Sequence, residues 1–351
     1  MKRFIVPLLT AVMVVSLVLV GCVPGAAPAP PAPAEEVYTL LYHCPWPPGQ
    51  ILSDIEEWYL DKVEERTEGR VIFTRIYGGT LSTLFAQSEN LTKRVFDVGQ
   101  VSYVYNPGLY PLGTVTTLPG IEDDSHVWGR ACHELSVTEP AMDAEYAKVN
   151  QKYLFTWALE PMEIASHVPI YTLEDFEGLR IRVHGGSALA FEKLGYTGVT
   201  VPWEELPVAA AEHVIDASCH PVPITGRDIG LHTIFKYYIT PFPVYQFHFA
   251  TVMNLEAWNE IPPDLQAVMI GVADDAVENG LVYIDTALEG GLKDLADAGV
   301  ITLEWPASEM ERFRTLAGEP VWEDWIAEKT AEGLPAQEIF DTFLAICAKY
   351  K

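Results

Sequence analysis

Short apolar segments and amphipathic stretches succeed one another along this chain, and their order predicts its elements. Tyr38–His43, Val71–Tyr77 and Val98–Val104 read as strands, separated by helices from about Ser53 to Thr67 and from about Thr83 to Val95. A second group starts near Tyr153. It runs through Ile181–Val183, a helix from Ser187 to Leu194, Thr197–Val201, a helix over Glu204–Glu212, and Ile215–Cys219. Strands alternating with helices predict right-handed βαβ units on a largely parallel sheet. Gln246–Met253 then returns as an alternating strand, and Pro262-Pro263 opens a helix. In that helix Leu265, Val268, Met269, Val272, Ala276, Leu281, Ile284 and Leu288 form a stripe. It lasts roughly 25 residues, or about 38 Å, enough to lie across two lobes.

The segment Thr172–Ser187 carries the candidate chemistry. It places Arg180 and Arg182 on one face of a strand and Leu179, Ile181 and Val183 on the other, then enters a Gly185-Gly186-Ser187 helix start. Unpaired N–H groups at such a start, the helix dipole and a guanidinium together make a carboxylate trap. Alternation alone leaves the two arginines equally placed. Aromatic and histidine side chains cluster at other predicted strand ends and chain crossings: His43, Trp46, Tyr103, Tyr105, Trp157 and Trp203, with Gln246, Phe247 and His248 as weaker candidates. Together they would box a carboxylate whose body is apolar or cyclic.

Charge sharpens this picture. At the N-terminus, Lys2 and Arg3 precede an apolar run from Phe4 to Val20 that closes on Gly21-Cys22, the order of a secretory signal over residues 1–21. Residues 22–36, rich in Pro and Ala, read as a tether. The 22 basic residues less Lys2 and Arg3 leave 20 against 49 acidic ones, a net −29. That sign argues against nucleic-acid partners, and it obliges an anionic ligand to find a local basic pocket. Cys44, Cys132, Cys219 and Cys347 lack metal spacing, and one disulfide among them is left open. His126, Cys132 and His133 fit no zinc pattern. G-x-S-x-G, G-x-G-x-x-G and Walker patterns are absent, so neither an enzyme nor a bound cofactor is expected.

Asp175-Phe-Glu-Gly-Leu-Arg-Ile-Arg-Val183, followed by Val201-Pro-Trp-Glu-Glu-Leu206 and Val214-Ile-Asp-Ala217, resembles the D-L-K-G-L-K-I-R-V and V-P-x-x-E-L…V-D-G segments of TRAP-transporter solute receptors of the C4-dicarboxylate-binding type. Lys62–Val71, Gly78-Gly79-Thr80-Leu81, Phe96-Asp97-Val98-Gly99 and Leu118-Pro119 are similar to further marks of that family, and Cys22 after Leu19-Val20-Gly21 is similar to a lipobox cysteine. The resemblance implies a two-lobed α/β periplasmic binding protein fold, with hinge strands near Phe155–Ser166 and Tyr245–Asn254 and the long helix spanning both lobes. Residues 37–157 plus 250–290 would form one lobe, and 158–249 plus 291–345 the other. It implies an extracytoplasmic, lipid-anchored receptor, not an enzyme, that delivers a small organic carboxylate to TRAP permease subunits. A receptor for an ATP-driven importer and a secreted hydrolase are the rival readings. Residue by residue, the resemblance selects Arg182 as the carboxylate contact and puts His220 where the family has a ligand-binding Asn. Glu160 and Glu163 stand where several members carry a second arginine, and Pro207, Ala210, His213 and Ala217 replace family Tyr, Leu, Gly and Gly. A single basic clamp suits a monocarboxylate.

Overall fold

The computed structural model describes residues 36–242 and 244–351. The expected signal sequence, Cys22 and all of the tether except Glu36 lie outside the described residues. In chain order the elements are β1 (Tyr38–Cys44), α1 (Ile51–Arg66), β2 (Val71–Tyr77), α2 (Gln87–Thr92), β3 (Val98–Val101), α3 (Ser125–Thr138), α4 (Pro140–Lys148), β4 (Gln151–Ser166), β5 (Ile181–Arg182), α5 (Gly186–Lys193) and β6 (Gly198–Val199). There follow α6 (Leu206–Ala211), β7 (Ala217–Pro221), β8 (Tyr237–Thr240), β9 (Gln246–Asn254), α7 (Leu255–Glu260), α8 (Pro263–Asp297), β10 (Ile301–Glu304), α9 (Ala307–Phe313), α10 (Glu319–Ala331) and α11 (Ala336–Tyr350).

The strands run in the order β2-β1-β3-β9-β4-β7-β5-β6, with β8 on β4 and β10 on β8. Pairs within each flank, β1 with β2 and β3, and β5 with β6 and β7, are parallel. The two flanks are joined through the antiparallel strands β4 and β9. β4 is the joint. Its 16 residues pair with β9 as far as Pro161 and with β7 and β8 from Met162 onward. The register slips between Ala158 and Pro161, where proline has no N–H to give a ladder, and the Met162 N–H goes instead to the Tyr245 carbonyl at 2.8 Å. The two chain crossings predicted near Phe155–Ser166 and Tyr245–Asn254 are these two strands.

α8 extends 35 residues, about 52 Å, well beyond the expected stripe. Gly290-Gly291 interrupts the apolar spacing, but Gly291 remains buried because the helix there lies against the Pro223 carbonyl, 2.0 Å from where a β-carbon would stand. Leu295 then resumes the stripe. Two predicted helices are shorter than their patterns. Residues 83–95 form a turn at Leu84–Ala86 plus α2, and 204–212 form a turn at Trp203–Glu205 plus α6, which starts at Leu206-Pro207. The C-terminal helices make a core with α3, where Trp128 meets Phe343 edge-on at 5.1 Å and Val321, Trp325 and Phe340 complete the packing. This packing sets α10 and α11 against α3, and α10 also meets α5 through Lys193 and Asp324 at 2.5 Å. The four described cysteines are free, buried thiols. No described helix is long and apolar enough to cross a membrane.

Three carboxylates are buried beneath the joining strands. Glu160 accepts from the Ile224 and Thr225 N–H groups at 3.0 Å each, Glu163 is bonded by Tyr238 and Thr240, and Glu56 by Trp157 and Thr251. Desolvation raises each to about 7, so each holds its proton far more tightly when folded than when unfolded. The stability such a group contributes is present below its unfolded value near 4.5 and lost as pH rises through 7. Buried His220 and His248, depressed to about 3 and about 4, act with the opposite sign as pH falls below 6.5. A difference measurement separates the two. Glu160→Gln keeps an acceptor for both N–H groups, so its stability relative to the parent should improve between pH 5 and pH 7, by at most about 1.4 kcal/mol per pH unit in urea unfolding. A difference that stays flat over that range would show that Glu160 is not held protonated.

Candidate functional site

Arg182 occupies the centre of the short parallel ladder, opposite Val199 of β6 and Ser218 of β7. It is 4 % exposed. Nε donates to the Val201 carbonyl at 3.3 Å and Nη1 to the Cys219 carbonyl at 3.1 Å, and the guanidinium carbon lies 5.8 Å from the centre of the Trp203 ring. Among the described residues no carboxylate lies within 4 Å of it. Every other described arginine has an acidic partner within 4 Å: Arg66, Arg70, Arg75, Arg94, Arg130, Arg180, Arg227, Arg312 and Arg314. Arg180 illustrates the contrast, since it is exposed and held by Asp216 at 2.8 Å. Burial lowers the Arg182 pKa, yet a guanidinium stays protonated, so this is a desolvated cation whose counter-ion the described chain does not supply.

The guanidinium opens onto a small cavity. Trp46, Tyr105, Trp203 and Phe247 form aromatic walls, and Leu52, Met162 and Pro221 add apolar surface. Arg182, His184 and Thr225 are the polar lining. The residues come from the chain after β1, β3, β5, β6 and β7, from β5 and β7 themselves, from the start of α1 and from the joining strands β4 and β9. Such a lining, aromatic on most sides and cationic at one point, matches the chemistry of an apolar body bearing one negative group. Burial pushes the Tyr105 hydroxyl up to about 12, so it stays protonated beside the cation. A larger space of about 420 Å³ between the start of α1 and α8 has its cation, Arg227, already engaged by Asp228 at 2.8 Å.

Of the side chains singled out in the sequence, Arg182, Trp203, Trp46, Tyr105 and the weaker candidate Phe247 meet at this cavity. His43 does not reach it: its ring is buried between Gln87 and the Gly78 carbonyl. Tyr103 is bonded to Tyr146 in a separate aromatic core, and Trp157 donates its indole N–H to Glu56 at 3.0 Å. His220 turns behind β7, with Nδ1 on Ser218 Oγ at 3.0 Å and its ring between Trp203 and Phe235, bordering a small apolar void instead. His184 is the histidine in the cavity. Its place two residues beyond Arg182 on an extended segment was a readable signal, whereas Met162 and Thr225 had none before the partner switch in β4 was known. Gln246 and His248 are tied into the structure by Ser125 and Thr116. Among the described residues no cluster of metal-ligating side chains occurs.

Comparison with known proteins fits this geometry. The sialic acid-binding periplasmic protein SiaP of Vibrio cholerae is 25 % identical over 178 residues, a match spanning 50 % of this chain and 55 % of that protein. A TRAP periplasmic solute binding protein from Desulfovibrio salexigens superposes with a TM-score of 0.80 at 24 % identity, covering 90 % of this chain and 97 % of its own. One from Rhodoferax ferrireducens, in complex with copurified benzoate, gives 0.79 at 21 %, covering 90 % and 98 %. These similarities establish the two-lobed fold. The model of the bacterial extracellular solute-binding protein family 7 matches residues 46–329, and the chain belongs to that family.

Proposed function

We propose that this protein is an extracytoplasmic receptor that closes its two lobes on a small aromatic or cyclic monocarboxylate and hands it to a TRAP-type membrane permease. The unpaired, buried Arg182 carries the reading. A carboxylate placed there supplies the missing counter-charge through bidentate geometry, and the four aromatic walls favour a flat body. The benzoate held by the Rhodoferax relative has that chemistry. A second carboxylate would find no second cation in the cavity and would be buried without compensation. Residues 37–157 with 250–290, and 158–249 with 291–345, serve as the two lobes in this reading. Cys22 anchors the receptor through lipid, so Cys22→Ser should move it from the membrane fraction to the soluble one.

Arg182→Ala is expected to weaken binding of benzoate or a similar acid by about 2–3 kcal/mol, roughly 30- to 150-fold, by calorimetry. Parent-like affinity in this variant would remove the counter-ion assignment.

Closure has its own requirement at the start of α5. A β-carbon on Gly186 would stand 2.1 Å from the Thr117 carbonyl oxygen, and one on Gly185 would stand 2.2 Å from Val104 Cγ1. These contacts bring the loop after β5 against the chain following β3. Alanine suits Gly186's helical position, so Gly186→Ala obstructs the approach without unfolding α5. We expect about tenfold or greater loss of affinity, and loss of the ligand-induced fall in radius of gyration in small-angle scattering. A variant that contracts and binds like the parent would refute this role.

A further inference from the structure

Apart from Arg182, the polar group with unused capacity on the cavity wall is His184. Its Nδ1 is buried and has no hydrogen-bond partner, although the ring lines the cavity. The residue is firmly placed. Its N–H donates to Ser187 Oγ at 3.0 Å, the same hydroxyl donates back to the His184 carbonyl at 2.6 Å, and the ring sits edge-on to Phe247 at 6.3 Å. The groups facing it are cationic or neutral: Arg182, and His220, itself held neutral by burial. With burial, they keep the imidazole uncharged, so it cannot serve as a second clamp for a carboxylate. A neutral imidazole offers one donor and one acceptor, and a hydroxyl can satisfy an orphaned ring nitrogen in either tautomer.

Building on the carboxylate reading above, we propose that His184 is the specificity-determining contact of the cavity, hydrogen-bonding a hydroxyl on the ligand's body while Arg182 holds its carboxylate, so that the site prefers hydroxy-substituted aromatic monocarboxylates. The preference arises because an unsubstituted acid leaves the buried nitrogen unpaired, whereas a hydroxylated one pairs it.

Calorimetric titration with two matched pairs, phenylacetate with mandelate and benzoate with 3-hydroxybenzoate, tests this in the parent, His184→Phe and His184→Gln. The hydroxylated member of at least one pair should bind the parent about tenfold or more tightly. In His184→Phe that ratio should fall to near one, and His184→Gln, which keeps polar atoms on a similar stem, should retain part of it. A ratio near one in the parent, or an undiminished ratio in His184→Phe, overturns the role of His184 and leaves the Arg182 reading standing. If none of the four acids binds the parent, or if Arg182→Ala does not weaken them, the carboxylate reading fails and this inference falls with it.

Discussion

Taking the Arg182 guanidinium out of water costs several kcal/mol, and the described chain returns little of that itself: two carbonyl oxygens and the face of Trp203. The absence of an internal carboxylate is not for want of candidates. The chain carries 49 acidic residues, and every other described arginine has taken one. An internal partner would neutralise the cation and also compete with any external anion, so a receptor for acids is better served by leaving the charge open. The surrounding acidity repels free anions at long range, which makes the local low-dielectric cation, and not the general field, the source of attraction.

That charge can be held open only on a rigid seat. β5 contributes just Ile181 and Arg182 to the sheet, yet it is flanked on both sides, by β6 and by β7, and Ile181 anchors it in the apolar core. The neighbouring arginine shows what the same sequence pattern does without burial: one residue before the ladder, Arg180 folds onto Asp216 through both its backbone N–H and its side chain and becomes a surface clasp for the β7 approach.

Much of the architecture could be read from the chain because its apolar patterns are long. β1, α1, β2 and β9 lie within two residues of their predicted bounds, and α8 was recognised from its stripe. The weak points are physical ones. Alternation predicted two equivalent arginines, and only the pairing of Asp216 with one of them separates their roles. His43, Tyr103 and Trp157 stood at plausible strand ends, but each found an internal partner, Gln87, Tyr146 and Glu56, that no local pattern announces. His220 failed for a different reason. A strand residue's side is fixed by register, and its ring was carried behind β7 while the extended segment after Arg182 presented His184 in its place.

The turn over Val222–Gly226 connects three parts of the molecule that function requires to move together. Its Thr225 lines the cavity, its Ile224 and Thr225 N–H groups are gripped by Glu160 at the point where β4 changes partners, and its Pro223 carbonyl lies against Gly291 of α8. A ligand contact at Thr225 is therefore only one hydrogen bond away from the joining strand and two residues away from the long helix. Glu160 holds this junction by accepting two backbone N–H groups on one oxygen, and its burial raises its pKa to about 7, which disfavours a bare charge inside the joint. A charged side chain here would draw water into the bend, and a hydrophobic one would orphan both N–H groups. A carboxyl that burial biases toward its neutral form fixes the turn to β4 through one oxygen, while its second oxygen stays buried without a partner.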